Sequence, residues 1–186
     1  MASEKYILAI DLGTSGPKVA LFSLQGELIG SEFQENRVLL LPDGGAEQVP
    51  AEWWDAINAA VKRLLAKKLV PNEDIHAIAT TGQWSGTVAV DRDGNALGNA
   101  VIWMDSRGEP YIKKMGDGLI KIADFGISKL IKWIRLTGGI PSASGKDPIA
   151  HILYLKHVHP EIYQRAHKFL EPIEDIGQLL TGKCAA

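Results

Sequence analysis

Three short clusters in this chain combine residue types and spacings that could do chemistry. The first, Asp11-Leu12-Gly13-Thr14-Ser15, closes an apolar run near the amino terminus. Asp11 is a hard oxygen donor suited to Mg²⁺ or its waters, Gly13 lets a phosphate approach the main chain, and Thr14 and Ser15 bring hydroxyl and amide donors. Lys18 adds a positive charge nearby. Together they answer the needs of a nucleotide tail, whose oxygens must be neutralised and held by fixed donors. The glycine spacings of the Walker loop and of the dinucleotide fingerprint are both absent. Taken alone, the pentapeptide also fits a strand-to-strand turn whose Asp, Gly, Thr and Ser serve turn chemistry only.

The second cluster is Gly82-Gln83-Trp84-Ser85-Gly86. Gln83 and Ser85 can hydrogen-bond hydroxyl groups, and Trp84 offers an aromatic face to the C–H face of a sugar. A core tryptophan flanked by two loop polars is the plainer alternative. The third is Trp103-Met104-Asp105-Ser106-Arg107, in which Asp105 accepts, Arg107 donates and Trp103 forms a wall, a set able to fix a polyol from two directions. A surface ion pair of little energetic worth accounts for the same spacing. Asp124-Phe125-Gly126 matches the Mg²⁺-binding segment of protein kinases, but the glycine-rich loop, strand lysine and catalytic loop that such an enzyme needs upstream are missing, so the match is read as coincidence. His76, His151, His157, His159 and His167 form no zinc-ligand pattern, and His151 and His157 are read as helix-face residues.

The elements that must position these clusters follow from periodicity. Residues 5–10 (KYILAI), 18–23 (KVALFS) and 27–33 are predicted strands, the last two joined by a Gln25-Gly26 hairpin signal, so the chain opens as a three-stranded antiparallel meander. Residues 36–49 read as a loop. Trp53, Ile57, Ala60, Val61, Leu64 and Leu65 then recur at helical spacing, with cations late in the helix. Residues 75–81 predict a strand parallel to the first, and 87–90 and 100–103 predict two more. Residues 111–135 read as mostly helical with glycine interruptions, and Gly138-Gly139-Ile140-Pro141-Ser142 as a loop. Helices are expected from Pro148, over 161–169 and, in short form, around 175–180. Strands first and helices interleaved later give an α/β domain with a mixed sheet, whose function should sit where strands end in loops.

The 186 residues, 46% hydrophobic and 23% charged, have a globular composition that excludes disordered, collagen-like and coiled-coil classes. A chain of this length can bury roughly 70% of its unfolded surface. With 20 Lys and Arg against 22 Asp and Glu, no basic excess argues for nucleic acid or an anionic membrane, and small molecules are the expected partners. Cys184, the single cysteine, fits a reducing compartment and is assigned no role. The start shows no leader and no apolar run approaches a membrane span, so a cytoplasmic location is expected.

In this order the pieces resemble the amino-terminal part of a carbohydrate kinase of the FGGY family, the xylulokinase and glycerol kinase group of the actin-like ATPases. The resemblance rests on Asp11-x-Gly13-Thr14-Ser15, Trp53-Trp54, Gly82-Gln83-x-x-Gly86, Trp103-x-Asp105-x-Arg107, Asp147-Pro148, Pro160-Glu161-Ile162-Tyr163 and Leu180-Thr181-Gly182. It implies a ribonuclease-H-like α/β domain over residues 1–186 and transfer of the ATP γ-phosphate to a sugar or polyol hydroxyl, a xylulose-like pentulose first. Asp11 would act on Mg²⁺ and the phosphates, as catalytic and metal-binding residue. Gly13, Thr14, Ser15 and Lys18 would line the phosphate loop, and Gln83, Trp84, Ser85, Trp103, Asp105 and Arg107 would face the sugar. Trp84-Ser85 stands where xylulokinases carry Met-His, and Glu174-Asp175 where the family has Asp and an aromatic. Family members run to two actin-like domains, which puts the catalytic base, the second phosphate loop and the adenosine pocket beyond residue 186 and leaves the 186 residues alone inactive or nearly so. The alternative is a non-catalytic sugar-binding or assembly module, able to form a homodimer through an apolar face.

Overall fold

A computed structural model describes residues 4–118, 121–122, 125–139 and 142–184. Asp124, Ile140 and Pro141 therefore lie outside the described residues. The chain divides into two compact units, the first made of Met1–Val38, Gln48–Trp84 and Leu170–Ala186, the second of Leu39–Glu47 and Ser85–Phe169.

The first unit is built on strands β1 (Tyr6–Gly13), β2 (Gly16–Ser23) and β3 (Leu28–Phe33), the expected antiparallel meander. Alternation sets the faces. Leu8, Ile10 and Leu12 of β1 and Val19 and Leu21 of β2 are buried on one side, where helix α1 packs across β2 and β3. Helix α1 runs over Pro50–Ala66, with proline in its first turn and Trp53, Ile57, Ala60 and Leu64 buried along one stripe. A further strand, labelled β6 (Ile75–Gly82) by its place in the chain, lies parallel to β1, in register from Ile7 against Ala77 to Leu12 against Gly82. The sheet order is β3-β2-β1-β6.

The second unit holds the remaining strands, except for the last residues of two of them, Gln48 and Leu170. β4 (Leu39–Leu40), β5 (Ala46–Gln48) and β8 (Ala100–Val101) form a three-stranded sheet, and β7 (Val88–Val90) pairs with β11 (Lys168–Leu170). Helix α2 (Glu109–Gly116), the short arms β9 (Lys121–Ile122) and β10 (Phe125–Gly126), and helices α3 (Ile127–Thr137), α4 (Pro148–Val158) and α5 (Pro160–Arg165) complete it. Its core gathers Ala89, Val101, Tyr154 and Leu155, with Ile112, Phe125 and Ala150 beside α2 and α4. The last helix, α6 (Pro172–Thr181), belongs to the first unit, lies against β6 and carries a capping box between Glu171 and Glu174.

Four readings change. The helix expected over 161–169 ends at Arg165, and Lys168–Leu170 is a strand, because the main chain after it bonds to β7: the His167 N–H donates to the Val90 carbonyl at 2.7 Å. The strand expected at 100–103 stops at Val101, since the Asp105 N–H turns back to the Ile102 carbonyl at 2.9 Å. The helical reading of 111–135 resolves into α2 and α3 with β9 and β10 between them. The loop read over 36–49 contains β4 and β5.

Candidate functional site

Asp11 and Lys18 are direct cross-strand partners in the β1–β2 hairpin, so their side chains share one face of the sheet. That face is opposite α1. There both line a hollow of about 640 Å³ floored by Ala9, Ala20, Phe22 and Ala79. Asp11 is half-buried and Lys18 exposed, so a carboxylate and an ammonium stand together at the carboxyl ends of two parallel strands, β1 and β6. Ligands of α/β sheets gather at that edge. One half-buried carboxylate suits a Mg²⁺ ion that arrives on nucleotide phosphates and keeps most of its waters. Among the described residues no group of three or more His, Cys, Asp and Glu could enclose a metal ion. A metal delivered with its nucleotide would meet one half-buried carboxylate here, that of Asp11.

The turn beside it is fixed by packing. Gly13 pairs with Gly16 across the hairpin, leaving Thr14 and Ser15 as its two-residue tip. Gly16 has φ of +143°, and a Cβ there would run into the Gln34 carbonyl. The segment after β3 clasps the turn, with the Gln34 N–H donating to the Pro17 carbonyl at 3.1 Å and the Asn36 N–H to the Ser15 carbonyl at 3.0 Å. Gln83 continues the parallel pairing, its N–H donating to the Leu12 carbonyl at 2.8 Å. Its side chain turns to the same loop: the Thr14 hydroxyl donates to Gln83 Oε1 at 3.3 Å, and Gln83 Nε2 donates to Gln48 Oε1 at 2.7 Å. Gly82 allows this closeness, since a Cβ there would lie 2.9 Å from the Leu12 carbonyl oxygen. The first unit thus brings Asp11, Gly13, Thr14, Lys18 and Gln83 together. Trp84 is 77% exposed, a face available to a ligand rather than a core residue.

In the second unit Asp105 and Arg107 do meet, and more completely than a surface pair would. Asp105 has no exposed surface. Its Oδ1 accepts the Arg107 N–H, and its Oδ2 accepts the Ala46 N–H and Arg107 Nε, each at 2.9 Å, with Arg107 Nη2 at 2.6 Å. Arg107 Nη2 also donates to Glu47 Oε1 at 2.6 Å, and the guanidinium lies 4.3 Å from the centre of the Tyr154 ring. Burial works to lower the Arg107 pKa, but the Asp105 and Glu47 carboxylates outweigh it and raise it. The clamp holds a turn on which Trp103 and Met104 stand exposed. Ser85 is buried, with a left-handed φ of 60°. His151, fully buried, shares a 3.2 Å hydrogen bond between its Nδ1 and the Thr87 hydroxyl, and desolvation holds its pKa down to about 4. Gln48, Glu47 and Tyr154 were not among the sequence candidates. No local pattern in Ala46-Glu47-Gln48 marks the first, whose burial shows only in the fold.

Residues 6–186 match the FGGY family of carbohydrate kinases, N-terminal domain. The xylulose kinase of Bacillus subtilis (strain 168) is 28% identical over 182 residues, covering 96% of this chain and 33% of its own length. The glycerol kinase of Thermococcus gammatolerans is 32% identical over 161 residues, 81% of this chain and 32% of its own. Among solved structures, a kinase of Brucella ovis described as a xyloylose kinase superposes with a TM-score of 0.79 at 26% identity, covering 96% of this chain and 34% of that one. The chain therefore spans about a third of the length of these relatives. Among its described residues no helix is long and apolar enough to cross a membrane. With a family match running from β1 past α6, and the fold of solved kinases beneath it, this chain belongs to the FGGY family of carbohydrate kinases as a stretch of its N-terminal domain.

Proposed function

We propose that the protein is an ATP-dependent, cytoplasmic carbohydrate kinase that transfers the γ-phosphate to a hydroxyl of a sugar or polyol. One observation carries the reading: Asp11 and Lys18 stand side by side at the carboxyl ends of β1 and β6, next to a hairpin tip tied down through Gln83. A metal bound with the nucleotide would neutralise phosphate oxygens there. Asp11 orients that metal from the first unit, Lys18 adds positive charge, and Gly13, Thr14 and Ser15 form the loop the phosphates meet. On the sugar side, Gln83 and Trp84 of the first unit and Ser85, Trp103, Asp105 and Arg107 of the second are the proposed determinants. Exposed Trp84 and Trp103 supply apolar faces, while the Asp105–Arg107 clamp sets the shape of its turn. A xylulose-like pentulose is the first acceptor to try, since xylulose kinases stand among the relatives. The 186 residues by themselves are expected to turn over slowly or not at all, because the relatives that carry the activity are about three times as long.

A second reading, a non-catalytic sugar-binding or homodimerising module, is favoured by the apolar surface left open on the first unit, where Leu28 and Phe33 are exposed on the face opposite α1. ADP release from the full natural polypeptide decides between them. Sugar-dependent turnover that falls by about three orders of magnitude or more in Asp11→Ala supports the kinase, on the scale expected when charge stabilisation of phosphoryl transfer is removed. Saturable sugar binding without any ADP release supports the module.

A further inference from the structure

Among the described residues, Gln48 is one of the few polar side chains with no exposed surface at all. Burying a primary amide is costly unless both ends are hydrogen-bonded, and here both are. Its Nε2 donates to the Thr14 carbonyl at 2.8 Å and to the Arg37 carbonyl at 3.2 Å. Main-chain carbonyls only accept, so these two partners dictate which end of the amide faces them and turn Oε1 toward Gln83. Gln83 must then present Nε2 to Gln48, at 2.7 Å, and its own Oε1 to the Thr14 hydroxyl, at 3.3 Å. The direction of every bond in this ring follows from two carbonyl groups. Thr14 is held twice, by its carbonyl and by its hydroxyl, whose single proton is directed at Gln83.

The consequence lies in the peptide that follows. In a planar trans peptide the carbonyl and the next N–H point in opposite directions. With the Thr14 carbonyl drawn inward to Gln48, the Ser15 N–H is turned the other way, out from the hairpin tip. A fixed N–H directed outward at a glycine-bounded turn is a donor for an anion. We propose that Gln48 is a positioning residue that locks the Thr14–Ser15 peptide with its N–H outward, ready for a nucleotide phosphate, and that orients Gln83 through the same amide. This deepens the kinase reading and rests on it. Gln48 touches no substrate. It acts through Thr14 and Gln83.

The test uses the full natural polypeptide and two replacements of similar size, Gln48→Met, which has no hydrogen-bonding amide, and Gln48→Glu, whose carboxylate offers acceptors to two carbonyls. Mg²⁺–ATP is the probe. In Gln48→Met the ATP dissociation constant is expected to rise about tenfold or more. Amide exchange supplies the reading that does not depend on turnover. The Asn36 and Gln83 N–H groups, bonded to the Ser15 and Leu12 carbonyls, should exchange at least about tenfold faster in Gln48→Met, while Leu8 and Ile10 on β1 keep their protection. Gln48→Glu should bind ATP worst at pH 8 and recover toward pH 5.5, where a protonated carboxyl regains one donor for the Thr14 carbonyl. Unchanged ATP affinity, or exchange that quickens equally along all of β1, would overturn the proposal and leave Gln48 a packing residue. Absence of sugar-dependent ADP release in the parent would sink the kinase reading alone, with ATP affinity and exchange still deciding on Gln48.

Discussion

Removing the Arg107 guanidinium would strand the Asp105 carboxylate, which has no exposed surface and accepts two hydrogen bonds from that group, from Nε and Nη2. Breaking one side of a buried pair costs about 3–5 kcal/mol, because the surviving charge stays buried and uncompensated. Arg107→Met is therefore expected to lower the urea-unfolding free energy by that amount. Adding Asp105→Leu should restore part of it, since the lone charge is then gone. Arg107→Lys should recover little, as an ammonium cannot span Asp105 and Glu47 with a planar fork while stacking on Tyr154. A Lys variant as stable as the parent would show that charge alone holds the turn. The pairing of Asp105 with Arg107 was legible in the sequence from two complementary side chains in one short turn. Its burial was not, because the Ala46 N–H that completes it comes from 59 residues away. Gln48 was hidden for the same reason, being one amide in a segment that reads locally as loop.

Elements show the same division between local and distant causes. The β1-β2-β3 meander, helix α1 and the parallel strand β6 were all legible, because each is long enough for its own alternation or helical stripe to declare it. Of the strands of two or three residues, β7 was read at its place and β8 was read too long, while the others were missed. β11 exists only because β7 offers it a ladder, and β4 and β5 because they pair with each other and with β8. The hairpin between β1 and β2 carries an element-scale test. At Gly16 a side chain meets both an unfavourable φ and the Gln34 carbonyl, so the chain cannot accept one without pulling the clasp from the turn. Gly16→Ala is expected to destabilise the protein by about 1–3 kcal/mol, the range for forced insertion into packed structure. Gly26, equally left-handed at φ +87° but with open space where a side chain would stand, serves as the control: Gly26→Ala should cost about 1 kcal/mol from backbone conformation alone. Thermal melts of the two variants measure the difference, and equal losses would remove the steric part of the explanation.

The whole molecule responds to acid in two opposite ways, one per unit. In the second unit His151 is buried and neutral, its pKa held down to about 4 by desolvation from an ordinary value of 6.5. An unfolded chain binds that proton more readily, so stability is complete above pH 6.5 and is lost as pH falls toward 4, by about 3 kcal/mol at about 1.4 kcal/mol per pH unit. In the first unit Asp175 on α6 is buried, and desolvation pushes its pKa up to about 6 from 3.8. Here the folded form holds the proton more tightly. Stability is complete below pH 3.8 and is lost as pH rises toward 6, again by about 3 kcal/mol. These two contributions nearly cancel in any measurement that unfolds both units at once. Amide exchange, corrected for the pH dependence of the intrinsic rates, separates them. Between pH 6.5 and 4, protection from these groups should fall in β7 and α4 and rise in β6 and α6. His151→Gln should flatten the first slope and leave the second, and Asp175→Asn should do the reverse. If both units moved in the same direction, or if neither substitution altered its own slope, burial of these two groups would not be what sets the acid response.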